Sequence, residues 1–245
     1  TTQDNLNELV AYNLVEWDEV SSRYHLHDIV RLFAYAQSNE DERLVGQQRH
    51  AQYYLNILQQ IDLLYQQDST LVSLGLSRFD IEWVNIRVGQ AWAMTNAASD
   101  DIAAQLCSKY PNAGAYILNL RLHQQDWIQW LEAALTAARQ LKDYAGECNH
   151  LSNLGNAYYY GGNIKKAIDL FEQNWIIARE LNDRQGAGNA LFNMSLALND
   201  IGQCEQAISY AEVALNLFQQ IEDSYAEIVR AQLSEWRTQR KSLHS

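Results

Sequence analysis

Asparagine side chains recur at helical spacing in the second half of the chain. Asn149 and Asn153 are four residues apart, and Asn189 and Asn193 stand in the same relation 40 residues later. Residues i and i+4 share one face of a helix, so we expect these four amides to form a row. An amide offers both a donor and an acceptor, which suits the backbone of an extended peptide. Hydrogen bonding between helices, or plain solvation, is the alternative.

Asn156 extends this row in one repeat, whereas Leu196 takes its place in the next. Two imidazoles, His25 and His27, stand two apart in an alternating segment and would point to one face of a strand. Two ligands do not complete a metal site, and no third His, Cys or Asp cluster of suitable spacing is nearby. Helical periodicity also brings together no Cys/His or Ser/His/Asp set, so we expect neither a metal site nor a catalytic residue.

The elements that must position these side chains are themselves repeated. Between residues 136 and 224 the sequence recurs with a period of about 40 residues. Matched positions are Leu141, Leu181 and Ile221; Asp143, Asp183 and Asp223; Leu151 and Leu191; Gly162 and Gly202; and Ala167 and Ala207. A fixed period of this size is typical of stacked helical units, each of which buries its apolar face against its neighbours. Such stacks bind partners and rarely catalyse.

Composition excludes several classes of function. The 245 residues carry a formal net charge of -12, which would repel a phosphate backbone, so we expect no nucleic-acid binding. No apolar run approaches the roughly 20 residues of a membrane span, and we expect no membrane contact. One proline and 11 glycines argue against a protein rich in strands and turns.

The three cysteines, Cys107, Cys148 and Cys204, are widely spaced within apolar helical patterns. Free buried thiols in a reducing compartment explain them better than disulfides or zinc. The chain shows no secretory signal and begins at Thr1 without Met. The sequence therefore predicts a fragment of a longer cytoplasmic protein.

The order of elements changes along the chain. Residues 5–14 show helical spacing, residues 14–17 and 23–26 alternate like strands around a polar turn at 18–22, and a helix follows from Asp28. Helices are expected from 41 to 96, weakly interrupted at 67–77, and from 100 to 110, and Pro111 can start another. The expected repeat helices are 111–121 with 126–141, 145–160 with 164–181, and 186–200 with 205–221, followed by a polar capping helix at 225–241.

Two resemblances follow from these patterns. Leu151-x-x-Leu154-Gly155-x-x-Tyr158, followed by Gly162, Ala167 and Phe171, resembles a tetratricopeptide repeat (TPR). The run from Arg23 to Ala34, then Arg49-His50 with Tyr53-Tyr54-Leu55, then Phe79-Asp80-x-Glu82-Trp83-x-Asn85-Ile86, resembles bacterial signalling NTPases of the NB-ARC (STAND) class. In that class a nucleotide-binding module and a winged helix precede a helical linker and TPRs.

The second resemblance implies a role for one histidine. Leu26-His27-Asp28 would occupy the position of the Met-His-Asp motif, whose histidine contacts the β-phosphate of ADP. An imidazole beside the free amides of a helix N-terminus suits an anion. In the alternative interpretation, Asp28 is an N-cap and His27 is a surface or interdomain residue. The phosphate-binding loop is absent, so this chain should hold no cofactor itself, whereas the parent would bind ADP or ATP with Mg.

These observations predict a mostly α protein. Residues 1–40 would form part of a winged helix with a short β-hairpin, 41–100 a helical linker, and 101–245 a right-handed superhelix of about three TPR-like repeats with a capping helix. Its function would be that of a non-catalytic sensor, in which a peptide or protein bound in the repeat groove regulates the parent ATPase. Expected partners are that ligand and the parent's own nucleotide-binding domain, and self-assembly with a second copy is left open. A free-standing adaptor is the competing interpretation.

Overall fold

The computed structural model describes residues 2–19 and 23–243, which form two compact units, residues 1–50 and 51–245. In the described residues of the first unit, α1 (Thr2–Ala11) precedes β1 (Val15–Asp18), β2 (Arg23–Leu26) and α2 (Asp28–Gln37). Helix α3 (Glu40–Tyr65) then runs from the first unit into the second. The predicted turn at 18–22 lies largely outside the described residues.

The two strands pair antiparallel, with Glu16 opposite His25 and Trp17 opposite Tyr24. The rings of Trp17 and Tyr24 are 4.7 Å apart between centroids, a cross-strand aromatic pair that stabilises a short hairpin. The prediction of a mostly α chain with one short N-terminal hairpin is thus confirmed. Assignment of these elements to a winged helix stays a prediction.

The second unit continues with antiparallel helices. They are α4 (Ser69–Asn96), α5 (Asp101–Ala113), α6 (Ala115–Arg121), α7 (Gln124–Leu141), α8 (Tyr144–Tyr160), α9 (Ile164–Glu180), α10 (Arg184–Asp200), α11 (Cys204–Gln220) and α12 (Tyr225–Leu243). The repeat helices begin and end within a few residues of the predicted bounds. Asp68 caps α4 by accepting from the backbone N–H groups of Thr70 and Leu71, so the interruption predicted at 67–77 is confined to the short turn before Ser69.

Turns at fixed positions produce the 40-residue period. Gly162 and Gly202, each with φ of +80°, close the turns between the two helices of a repeat. This left-handed conformation favours glycine because it has no β-carbon.

The turns between successive repeats use Lys142, Asn182 and Glu222, with φ of 55°, 56° and 54°. The aspartate that follows each of them accepts a hydrogen bond from the next helix. Asp143 Oδ1 and Asp183 Oδ1 accept from the N–H of Gly146 and Gly186, each at 2.9 Å. Asp223 Oδ1 accepts from the N–H of Tyr225, also at 2.9 Å. Asp143 and Asp183 are therefore helix N-caps, and Asp223 bonds to the first residue of α12.

The prediction that Pro111 starts a helix was wrong. Pro111 lies inside α5 and is buried, and the helix continues to Ala113. The break falls at Gly114, where a β-carbon would lie 2.6 Å from Leu58 Cδ1, so a close approach to α3 selects glycine there. Asp62 of α3 caps the start of the next helix, α6. Its Oδ1 accepts hydrogen bonds from the N–H groups of Tyr116 (3.0 Å) and Ile117 (2.8 Å).

Two main apolar cores fill the second unit. The first joins helices from α3 to α9 and includes Leu58, Ile86, Leu131, Leu151 and Leu170. The second joins α9 to α12 and includes Phe171, Leu198, Phe218 and Val229. Leu170 and Phe171 are neighbours on α9, so this one helix contributes to both cores.

Candidate functional site

The first helices of the repeats present asparagines to an open groove in the second unit, which we call the asparagine groove. It encloses about 550 Å³ and is lined by Tyr65, Ala115, Tyr116, Asn119, Leu120, Trp127, Asn153, Asn156, Ala157 and Tyr160. Helices α3, α6, α7 and α8 supply these residues. None of the lining side chains carries a formal charge.

Two of the predicted binding residues, Asn153 and Asn156, line this groove and are half-buried on α8. Asn193 on α10 is also half-buried, and its Nδ2 lies 3.5 Å from Asn156 Oδ1. This contact joins neighbouring repeats, although it links Asn193 to Asn156 and not to Asn153. It lies at the limit of hydrogen-bonding distance, so it leaves both amides available to a ligand.

The remaining two predicted residues lie apart from the groove lining. Asn149 is exposed one turn before Asn153, and Asn189 is half-buried one turn before Asn193. Of the five predicted asparagines, Asn153 and Asn156 reach the groove lining, and Asn193 reaches Asn156. Partner binding by all five asparagines stays a prediction.

Several lining residues escaped the sequence interpretation. Asn119 on α6 adds a third amide, and Tyr65, Tyr116 and Tyr160 add phenol groups. Asn119 precedes Asn153 by 34 residues instead of 40, because α6 is shorter than the repeat helices that follow. The period does not apply there, so no repeat signal marks Asn119.

His27 lies in the first unit at the start of α2. It is the N-cap residue by backbone position, with no side-chain capping hydrogen bond. Its Nε2 instead lies 3.1 Å from Glu16 Oε1 on β1. Asp28 is the first residue of the helix and pairs with Arg31 at 2.8 Å. The alternative interpretation of Asp28 as the N-cap is therefore wrong, since its carboxylate points along the helix to Arg31.

The cysteines differ in accessibility. Cys107 and Cys148 are buried, and burial raises the pKa of Cys107 to about 12 and that of Cys148 to about 11, which makes both thiols poor nucleophiles. Cys204 is exposed as the first residue of α11, so the prediction that all three are buried was wrong for this one.

Neither a metal cluster nor a membrane helix was found in the described ranges. Within residues 2–19 and 23–243, no three His, Cys, Asp or Glu side chains lie together in a metal-binding group. Over the same ranges, no helix combines the length and the apolar character needed to cross a bilayer.

No known family model matches this sequence, and no curated protein matches it. Among solved structures, the apo form of RapI is similar with a TM-score of 0.54 and 12% identity, over 87% of this chain and 65% of RapI. The chain thus spans just under two thirds of the length of RapI.

A second similar structure is a variant form of a protein of Podosopora anserina named as a kinesin light chain with nearly identical TPR-like repeats. Its TM-score is 0.50 at 15% identity, over 84% of this chain and 92% of that one. A STAND protein of Pyrococcus horikoshii with a tetratricopeptide repeat sensor has a TM-score of 0.40 at 16% identity, over 89% of this chain and 46% of its own, too low to establish a common fold. The similarity to the first two structures shows that the helical stack of this chain has a TPR-like fold.

Proposed function

We propose that this chain is a non-catalytic sensor module that binds a peptide or a peptide segment of a protein in the asparagine groove. The observation that carries this proposal is the groove itself, in which Asn119, Asn153 and Asn156 line one open cavity. Peptide backbones present alternating N–H and C=O groups, and an amide side chain can meet either. The groove is therefore suited to the main chain of an extended segment.

The lining also indicates which side chains the ligand carries. Leu120 offers exposed apolar surface, and the tyrosines offer ring faces with a hydroxyl at the edge. No lining residue is charged, so the groove offers no ion pair to a C-terminal carboxylate or a phosphate. We infer that its ligand is an internal, uncharged segment with at least one apolar or aromatic side chain.

We further propose that the parent protein is an NB-ARC-type signalling ATPase of the cytoplasm, in which ligand binding shifts an ADP-bound resting state toward an active one. Support comes from the resemblance of the first half of the sequence and from the position of His27 beside the free amides of α2. To contact a phosphate, the imidazole would exchange Glu16 for the nucleotide. A carboxylate that holds the imidazole in the absence of nucleotide is compatible with such an exchange.

The competing function, a free-standing TPR adaptor, is favoured by one observation. His27 already has an anionic partner in Glu16, and that contact gives the histidine a structural role without nucleotide. The two candidates differ in what the longer protein contains. A phosphate-binding loop upstream in the parent reading frame would support the ATPase, and a reading frame without one would support the adaptor.

Peptide selection tests the groove directly. Short displayed peptides are selected on the wild-type chain and compared on the Asn153→Ala/Asn156→Ala variant, with Asn112→Ala, at an exposed asparagine of α5, as the control. Each hydrogen bond to a peptide backbone contributes about 0.5 to 1.5 kcal/mol, so the double variant should bind about five- to a hundredfold more weakly. Selected peptides that bind both proteins equally would show that the ligand does not occupy the groove.

A further inference from the structure

A second cavity lies in the second unit, where the end of α9, the start of α10 and the later part of α11 meet. It encloses about 650 Å³. Trp175, Val213, Leu217 and Ile221 form its apolar surface, and Arg179 and Arg184 stand beside them. The guanidinium carbon of Arg179 lies 5.0 Å from the centroid of the Trp175 ring, a cation–π contact that orients the arginine.

The preceding repeat shows what this cavity lacks. Arg139 occupies the position equivalent to Arg179, 40 residues earlier. Its Nε donates to Glu147 Oε1 at 2.6 Å, and its Nη2 donates to Gln173 Oε1 at 2.9 Å. The carboxylate that pairs with Arg139 is largely buried, so this arginine has both a charge partner and a second acceptor within the chain.

Both acceptors disappear in the next repeat. The residue equivalent to Glu147 is Ala187, and the residue equivalent to Gln173 is Val213. Both line the cavity beside Arg179. The methyl group of Ala187 and the isopropyl group of Val213 cannot accept hydrogen bonds from Arg179, as Glu147 and Gln173 do from Arg139. These two side chains are also smaller than a glutamate and a glutamine, which leaves the cavity open.

Arg184 adds a second cation that helix stability does not explain. It is the first residue of α10, where the positive end of the helix dipole disfavours a cation, and the equivalent position one repeat earlier is Tyr144. Over residues 2–19 and 23–243, neither Arg179 nor Arg184 forms an ion pair, although Arg121 pairs with Asp80 and Arg237 with Glu212.

Asp183 also lines the cavity, and its carboxylate caps α10, while Asp223 bonds to the lining residue Gln185. Asp183 Oδ1 accepts from the N–H of Gly186, and Asp223 Oδ2 accepts from Gln185 Nε2 at 3.1 Å. In a chain with 30 acidic and 18 basic residues, two guanidiniums on one cavity with no ion pair among the described residues mark a site for an external carboxylate.

We propose that this cavity binds a peptide segment of a protein partner in which an acidic side chain stands next to an apolar one. The ligand's carboxylate takes the place that Glu147 holds in the preceding repeat and pairs with Arg179 and Arg184. Its apolar side chain lies on Val213, Leu217 and Ile221. The cavity is open to solvent and has the amide of Asn182 at its rim, which suits a continuous peptide better than a small free acid.

The repeat comparison supplies the decisive variant. Ala187→Glu should rebuild the internal pair seen between Arg139 and Glu147, and the fold tolerates a glutamate at that place in the preceding repeat. The variant should therefore stay folded, with the new carboxylate at position 187 paired with Arg179. Arg179→Gln removes the cation instead, and Arg230→Gln, on the exposed face of α12, is the matched control.

The probe is a labelled peptide with the core Leu-Glu-Phe, compared with Leu-Gln-Phe, and binding is followed by fluorescence anisotropy up to about 1 mM peptide. We expect the Glu peptide to bind at least about tenfold more tightly than the Gln peptide, and we expect a similar loss of affinity in Ala187→Glu and Arg179→Gln but not in Arg230→Gln. Hexanoate at equal concentration should not displace the peptide.

Four results would overturn the proposal. They are absence of binding by the Glu peptide, equal binding of the two peptides, unchanged affinity in a folded Ala187→Glu variant, and equal displacement by hexanoate. Circular dichroism establishes that each variant is folded. Because the asparagine groove is a separate cavity, Asn153→Ala should leave this affinity unchanged, and the two proposals succeed or fail independently.

Discussion

The ring of Phe171 on α9 packs directly over Gly155 on α8, so that a β-carbon at residue 155 would lie 2.4 Å from Phe171 Cε1. Phe171 is almost fully buried. The small residue that the sequence pattern places in the helix seam is therefore required by this one contact.

Gly155→Ala should lower the free energy of unfolding, because overpacking of a buried seam costs typically about 1 to 3 kcal/mol. Urea denaturation followed by circular dichroism measures the change. Gly46→Ala is the control, since nothing lies within 4 Å of a β-carbon there and alanine favours a helix. A Gly155→Ala/Phe171→Leu double variant should recover part of the loss, and failure to do so would assign the cost to another contact.

Asp62 should tolerate asparagine far better than alanine. Burial raises the pKa of its carboxyl, even though hydrogen bonds from Ile117, Tyr116 and Gln66 favour the charged form. A raised folded-state pKa means that its contribution to stability is full at low pH and is lost as pH rises through the folded value. Near pH 7 the neutral amide of Asp62→Asn keeps the acceptor and removes the buried charge.

We therefore expect Asp62→Asn to change the unfolding free energy little, and Asp62→Ala to lower it by about 1 to 3 kcal/mol because two backbone N–H groups lose their partner. Asp68→Ala, which removes an exposed cap of α4, gives the reference for a lost cap. Equal losses in Asp62→Asn and Asp62→Ala would mean that the charge itself is stabilising.

His150 should make the fold sensitive to mild acid. It is fully buried, with Nε2 3.0 Å from Ser108 Oγ and with no hydrogen-bond partner for Nδ1 among the described residues. Burial lowers its pKa to about 4, against a partial opposing effect from Asp143. Between pH 6.5 and about 4 the unfolded chain holds a proton on this residue and the folded chain does not, so stability falls as pH falls through that window.

The full effect is roughly 3 kcal/mol, since each pKa unit corresponds to about 1.4 kcal/mol. Denaturation at a series of pH values should show a shallower loss in His150→Gln than in the wild type. His123→Gln, at an exposed histidine, should retain the wild-type slope. Identical slopes in all three proteins would place the acid sensitivity elsewhere.

His27→Ala should have little effect on this chain and a large one in an NB-ARC-type parent. Here the imidazole contacts an exposed carboxylate, Glu16, and such surface pairs contribute about 0 to 1 kcal/mol. In the parent, loss of a charge-assisted phosphate contact of roughly 1.5 to 3 kcal/mol would shift the resting equilibrium by about one to two decades.

Faster ADP release and ligand-independent assembly of the variant parent would be the readouts, measured with a fluorescent nucleotide and by light scattering. The chain itself should not bind Mg-ADP in calorimetric titration. If the His27→Ala parent releases ADP at the normal rate, His27 does not sense the nucleotide, and its contact with Glu16 is its one remaining role.

Local signals explain how much of this fold the sequence could predict. The residues that mark the 40-residue period act within one turn of the chain, such as Gly162 in a left-handed turn and Asp183 as an N-cap. Their roles can therefore be predicted from the sequence alone. Pro111 and Asp62 are different, because their roles depend on residues far along the chain. Asp62 caps a helix 54 residues away, as its bond to Tyr116 shows.

The candidate site divides in the same way. Helical spacing placed Asn153 and Asn193 on one face, whereas the groove draws Tyr65 and Asn119 from segments outside the regular repeat. The second cavity was equally hidden, since it arises where Ala187 and Val213 replace polar residues of the preceding repeat. Only the bonds of Arg139 reveal what those replacements remove.

Helix α9 contributes side chains to both apolar cores of the second unit. Leu170 anchors this helix in the earlier core and the adjacent Phe171 anchors it in the later one. Tilting or sliding α9 therefore changes the packing of both cores at once. The asparagine groove borders the earlier core and the second cavity borders the later one, so a movement of α9 would alter the packing beneath both.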